Sequence, residues 1–256
     1  MLGLVRFCAL MVGLLLTTSP LAGQGQFRAL LITETDGWHH ESIVAGIPAL
    51  EGLAERHDFQ LDRFQSGQTL TEAALQNYQV VIFLNTTRDI FNEEEEAAFE
   101  KFIQAGNGFV GIHAASDTEY EWEWFTQLVG RMFRIHPAVQ TAWVDLETRK
   151  FPGLERWPDR LMWTDEYYDF TEEKVEGLTY LLSVDESTYD PQANWGSVAT
   201  EGMGDFHPLS WYHHFDGGRS FYTALGHLPA IYEEPLFLEH IYGGIFWAAT
   251  GKGLPE

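Results

Sequence analysis

The chain has 256 residues, with 15 Lys and Arg against 38 Asp and Glu, and a formal charge of −23. Such a surface repels polyanions, which argues against nucleic acid and anionic membranes as partners. Its one cysteine, Cys8, lies in an N-terminal leader-like segment, so the rest of the chain offers no thiol for a disulfide, a metal or a nucleophile.

Residues 1–25 read as a secretory signal peptide. They carry Arg6, an apolar run from Phe7 to Leu16 that is too short to span a bilayer, and small residues at Ala22-Gly23. Gln24 stands where a lipoprotein signal would need cysteine. The expectation is an exported protein, periplasmic or extracellular, whose residues 26–256 form one domain without a transmembrane span.

That remainder alternates between strand-like and helix-like patterns. Phe27–Thr33 is a near-continuous apolar run, as in a strand covered on both faces. The polar Thr35–Glu41 reads as a loop at its end. Ile43, Ile47, Leu50, Leu53 and Ala54 then fall at helical spacing, with Pro48 either kinking that helix or marking its start. Strands are expected at Phe59–Phe64 and Gln79–Asn85. Asn92 and Glu95 have capping-box spacing, and Phe99, Phe102 and Ile103 give the buried stripe of the helix that follows. Gly106 closes it, and a strand ends at His113.

Strand and helix alternating through short links is the doubly wound α/β signature. Right-handed crossovers place the loops after residues 33, 84 and 112 on one sheet edge, so His39, His40, Asn85 and His113 should share a cleft.

The second half is richer in aromatics. Gly130–Pro137 reads as a loop carrying His136. Val139–Leu146, Leu161–Trp163 and Leu178–Val184 read as strands. Thr188–Asp205 is a long polar loop, and Phe215-Asp-Gly-Gly218 a hairpin turn between strand patterns. Pro235–Thr250 is a helix apolar on nearly every face, expected to be buried, and its Gly243-Gly244 pair reads as a packing feature.

Chemistry must come from His, Asp, Glu, Tyr and Arg. Eight histidines occupy loop or strand-end positions, whereas His57 and His240 lie within helix patterns and read as solvated or packed. Imidazoles together with carboxylates such as Asp165, Glu166 and Asp205 are ligand types for zinc or a similar divalent metal, which would have to be assembled from distant loops. There is no Gly-x-Ser-x-Gly elbow and no dinucleotide fingerprint.

The segments Gly-Trp-His-His-Glu-Ser (37–42), Val-Ile-Phe-Leu-Asn-Thr-Thr (81–87), Gly-Phe-Val-Gly-Ile-His-Ala-Ala-Ser-Asp-Thr-Glu-Tyr (108–120), Trp-Thr-Asp-Glu-Tyr-Tyr (163–168), His-Pro-Leu-Ser-Trp (207–211) and Gly-Gly-Arg-Ser-Phe-Tyr-Thr-Ala-Leu-Gly-His (217–227) closely resemble the ThuA-like, trehalose-utilisation family. The resemblance implies a flavodoxin-like, doubly wound, mostly parallel sheet with helices on both faces, of the class I glutamine-amidotransferase type. Amidotransferases of that superfamily carry a cysteine nucleophile after the strand that here ends at His113, so glutaminase chemistry does not carry over. Phe206 is a departure, since relatives have a polar or acidic residue before the position of His207.

The family is associated with sugar catabolism beside dehydrogenases that make 3-keto sugars. The resemblance therefore implies carbohydrate metabolism by a lyase or hydrolase type of enzyme, acting on a glycoside or its 3-keto derivative with a saccharide or keto-saccharide as ligand. The alternative is a non-catalytic carbohydrate-binding accessory to a sugar oxidoreductase. Expected catalytic residues are His113, His227, Asp117 and His207. Expected binding residues are His40, Trp122, Asp165, Glu166, Tyr167, Trp211 and Arg219. Any metal would draw on His40, His113, His207 and His227.

Overall fold

The fold is a computed structural model that describes residues 25–171 and 175–254. The leader-like segment and Cys8 lie outside the described residues. Among those described, no helix is long and apolar enough to cross a membrane.

The chain begins with β1 (Arg28–Ile32), α1 (Ser42–Arg56), β2 (Gln60–Arg63), a one-turn α2 (Glu72–Leu75), β3 (Val80–Leu84), α3 (Glu93–Gln104) and β4 (Gly108–Ile112). Every residue of β3 and β4 is buried, which is why both read as unbroken apolar runs. Pro48 lies inside α1, so it removes one helical hydrogen bond without starting the helix. The Asn92–Glu95 capping box forms on α3, and Gly106 follows that helix with φ of 92°.

The second half contains α4 (Glu123–Val129), β5 (Phe133–Ile135), β6 (Gln140–Leu146), β7 (Arg160–Asp165), β8 (Asp169–Phe170), β9 (Thr179–Val184), β10 (Ala193–Asn194), β11 (Ala199–Thr200), β12 (His207–Phe215), β13 (Gly218–Thr223) and α5 (Pro235–Thr250). The stretch expected as a plain loop at 130–137 contains β5, which pairs with β8. The long loop after Thr188 contains the small β10–β11 hairpin.

Nine strands form one sheet in the order β2-β1-β3-β4-β13-β12-β9-β6-β7. The run from β2 to β13 is parallel throughout, and the remaining strands add on in antiparallel fashion. The α/β class is the expected one. Parallel pairing of β4 with β13 puts the chain after Ile112 and the chain after Thr223 on one edge.

A flat sheet would hold β7 about 19 Å from β13, since four strand spacings of about 4.8 Å separate them. Instead the Asp165 carboxylate, at the end of β7, accepts a 2.9 Å bond from the Gly226 N–H just beyond β13. The antiparallel half must therefore curl back, helped by the register shifts between β12 and β9 around Pro208–Trp211. It curls around α5. Trp157 and Trp163 reach His240 and Phe237 of that helix, while Phe151 and Tyr212 pack on Trp247. Nine of its sixteen residues are buried, from Phe237 to Ala249, and that wide buried face accounts for much of the apolar sequence of α5.

Burial also sets one pH dependence. Glu119 accepts hydrogen bonds from the Ile90 and Phe91 N–H groups, yet desolvation raises its pKa from 4.5 to about 8. The folded chain then binds more protons than the unfolded chain between those values, so Glu119 weakens stability as pH rises through that window. Glu119→Gln keeps an acceptor and removes the charge. Its stability relative to wild type should therefore improve from pH 5 to pH 8 in parallel urea titrations.

Candidate active site

β4 delivers His113 to the sheet edge in a strained turn. Its φ is 50°, in the left-handed region that non-glycine residues seldom occupy, and the ring is fully buried. His113 Nδ1–H donates to the Ala224 carbonyl at 2.7 Å, which leaves Nε2 as the acceptor nitrogen. Nε2 lies 2.8 Å from the Tyr168 hydroxyl, 3.2 Å from His227 Nδ1 and 3.5 Å from Glu166 Oε2.

Glu166 is the hub. Its Oε2 also lies 3.0 Å from His227 Nδ1, and its Oε1 lies 3.1 Å from His136 Nδ1. Burial opposes its charge, but the surrounding imidazoles of His113, His227 and His136 outweigh that and hold the carboxyl well below the usual range. His227 responds in the opposite sense: burial lowers its pKa, and Glu166 raises it further than that. His40 enters from the N-terminal side of α1, with its ring centre 5.0 Å from that of His113 and 5.5 Å from that of His227. Burial and the neighbouring imidazoles push its pKa down to about 3, and its buried Nδ1 has no hydrogen-bond partner. One ligand-type atom from each of His40, His113, Glu166 and His227 lies within 4.8 Å of the others.

Asp165 organises this group without entering it. Its carboxylate accepts from the backbone N–H groups of Glu166, Gly226 and His227, tying the two loops together. Desolvation raises its pKa.

Beside the cluster opens a cavity of about 480 Å³ lined by Trp38, His40, Arg88, Asp117, Phe133, His136, Glu166, Tyr168, Trp195 and His227. Trp38 and Trp195 are 72% and 52% exposed, unusual for rings that bury so much area when they pack. Asp117 accepts from the Tyr120 hydroxyl at 2.7 Å, and burial raises its pKa. A larger groove of about 710 Å³, beside α4, contains no histidine.

The other expected residues lie elsewhere. His207 sits behind the cavity, with Nε2–H donating to the Tyr168 carbonyl and Nδ1 2.7 Å from Glu186, so it braces Tyr168 and stays out of the cluster. Trp122 packs on Phe99 and Phe125, and its N–H donates to Glu100. Trp211 is buried against Phe170 and Tyr222, donating to the Val129 carbonyl. Tyr167 turns inward to the Trp163 carbonyl. Arg219 is at the far end of β13, about 13 Å of strand from Thr223, where it donates to Ala248 and Ala249 carbonyls at the C-terminus of α5. His39 is exposed and touches Thr35, and Asn85 is buried against Ser42.

The sequence pattern does not single out Tyr168, Trp38, Trp195 or Arg88, and it places His136 in a loop without a role. Two signals were present. Adjacent residues of an extended segment face opposite ways, so only one of Tyr167 and Tyr168 could face the cavity. A lone tryptophan in a polar loop, as at Trp195, has little core to enter.

A family model described as ThuA, trehalose utilisation, matches residues 28–248. The chain belongs to the ThuA family. Solved relatives carry the same fold: a ThuA-like protein of Bacteroides uniformis superposes with a TM-score of 0.72 at 21% identity, covering 92% of this chain and 96% of its own. A second, from Parabacteroides merdae, gives 0.69 at 21% identity, with 90% and 92% covered. A β-galactosidase of Bacillus circulans sp. alkalophilus matches over 91% of this chain and 32% of its own, at 13% identity and a TM-score of 0.57. No curated protein sequence matches the chain. Within the ThuA family, the His113 turn and the cluster around Glu166 are the features from which a function can be argued.

Proposed function

We propose that this ThuA-family chain is a sugar-catabolism enzyme that opens a 3-keto glycoside by proton abstraction and elimination. The observation that carries this reading is the convergence of three imidazoles and a carboxylate on a cavity with two exposed tryptophans at its rim. A volume of about 480 Å³ suits a small saccharide. Trp38 and Trp195 offer faces to the C–H side of a sugar ring, while Arg88 and Asp117 offer a donor and an acceptor to its hydroxyls. The leader-like residues 1–25 support export as part of the same reading.

A ketone at C3 acidifies the C2–H. His136 is placed to take that proton. Both neighbours of its Nδ1, Glu166 Oε1 and the Pro137 carbonyl at 2.8 Å, are acceptors, so Nδ1 carries the hydrogen and Nε2 the lone pair. Burial lowers its pKa, which favours the neutral ring that can accept a proton. As the C2–H bond breaks, its electron pair forms the C2–C3 enolate, whose oxygen faces His227, held towards its charged form by Glu166. Collapse of the enolate expels the C1 substituent, and the departing oxygen takes up a proton. Tyr168, with its pKa raised well above the ordinary phenol value by burial, stays protonated and is a donor beside His113.

The test is to titrate trehalose and 3-keto-trehalose by calorimetry and to follow both by NMR. The expected result is binding and consumption of the keto sugar. Trp38→Ala and Trp195→Ala should each weaken binding three- to tenfold, the equivalent of roughly 1 kcal/mol of ring contact. Binding without turnover by wild type and His136→Ala alike would favour an accessory carbohydrate-binding role beside an oxidoreductase. Absence of binding to any saccharide would remove both readings.

A further inference from the structure

We infer that His40, His113, Glu166 and His227 form a binding site for one divalent first-row metal ion, with zinc the best match. The argument is geometric. A tetrahedral ion with metal–nitrogen and metal–oxygen bonds of about 2.0–2.1 Å sets its ligand atoms about 3.3 Å apart. The three separations among His113 Nε2, His227 Nδ1 and Glu166 Oε2 are 3.2, 3.5 and 3.0 Å. These atoms thus already form one face of such a tetrahedron. The atom offered by His40 lies within 4.8 Å of the other three.

The donor set fits the ion as well as the spacing does. Two or three neutral imidazoles with one carboxylate and no thiolate is a zinc-enzyme type of site. His40 is nearly inaccessible, at 6% exposure, with Nδ1 unpartnered. An unsatisfied buried nitrogen is costly in a finished core and ordinary in a metal site read without its ion.

The surroundings follow the pattern of groups that hold metal ligands in place. His113 donates its second nitrogen's hydrogen to the Ala224 carbonyl, which fixes the tautomer with an unprotonated Nε2 that accepts from the Tyr168 hydroxyl and that an ion would take over. Glu166 presents Oε2 to the cluster while His136 holds Oε1. Asp165 fixes the backbone on either side, at Glu166 and at His227. His40, Glu166 and His227 line the cavity and His113 lies behind them, so an ion would face the cavity on one side. That open side would receive a carbonyl or enolate oxygen, which makes the ion the electrophile of the proposed reaction.

The experiment uses the whole chain, stripped with a chelator and dialysed, then titrated with Zn²⁺ by calorimetry and with Co²⁺ by visible absorption. The expected result is one ion per chain and intense Co²⁺ bands of a four- or five-coordinate site. Glu166→Ala and His227→Ala should abolish the Co²⁺ bands and weaken Zn²⁺ binding more than a hundredfold. His136→Ala should weaken it ten- to hundredfold, and His39→Ala should bind as wild type. Circular dichroism shows which variants remain folded, and His40→Ala replaces any that does not.

No Co²⁺ bands in folded wild type, or Zn²⁺ binding unaffected by Glu166→Ala and His227→Ala, would overturn the site. Metal binding deepens the catalytic reading, and the two fail separately. One ion per chain with no sugar altered keeps the site and removes the reaction; turnover by a chain that binds no ion does the reverse.

Discussion

Glu166→Gln is expected to lower kcat/KM on a 3-keto glycoside by a factor of about 10²–10³ or more while leaving the chain folded, the range seen when a single group that stabilises developing charge is removed. Gln is nearly isosteric, so the shape of the cavity wall survives. What disappears is the charge that His113 and His227 approach at 3.5 and 3.0 Å and that His136 approaches at 3.1 Å. The amide also has one acceptor oxygen where the carboxylate serves His227 and His136 with two, leaving one of those nitrogens unsatisfied. Steady-state kinetics with a parallel thermal melt checks the prediction. A fall in activity explained wholly by lost fold would remove Glu166 from the chemistry.

The second large effect concerns stability. Gly243→Ala should destabilise the chain by about 3 kcal/mol, at the upper end for overpacking, and lower Tm by about 6–12 °C at this chain length. A Cβ at Gly243 would overlap the Pro152 carbonyl and approach the Gly153 nitrogen, both backbone atoms that cannot swing aside. Alanine gains roughly 1 kcal/mol in helix propensity, which the overlap outweighs. Gly52→Ala supplies the control. It lies in α1 with nothing within 4 Å of its Cβ position, so there the propensity gain should appear as a modest rise in Tm. Equal shifts for the two variants would contradict the close seating of α5 on the 151–153 turn.

These cases separate what the sequence could and could not convey. The Asn92–Glu95 cap, the Gly106 stop and the 215–218 hairpin were legible because each is settled within a few residues. The shared edge of His40 and His113 was legible from crossover handedness alone. The misplacement of Arg219 was avoidable. A hairpin turning at 215–218 puts residue 219 beside the turn, while its two open ends, near His207 and Thr223, share the opposite edge. The contribution of Glu166 was harder to see. It depends on a sheet that curls through four strands to bring the end of β7 to the end of β13, and no local pattern encodes that curl. Tyr168 rather than Tyr167, and Trp195 on a small hairpin, depend on the same long-range closure.

His113 illustrates the result. As a strand-end imidazole it could have been a simple turn residue, but its positive φ, its fixed tautomer and its three close neighbours make it the rigid corner of the cluster. Ser116 and Ser210, the hydroxyls available for a nucleophile, are buried in bonds to Tyr222. Proton transfer and charge stabilisation are therefore the roles we propose for this cavity.

The most direct test is proton NMR of 3-keto-trehalose incubated with the chain in D₂O, beside trehalose itself. The account predicts loss of the C2 proton signal, release of glucose from the keto sugar and no change in trehalose. Release of glucose from trehalose at a comparable rate, or a C2 proton untouched in the keto sugar, would contradict it.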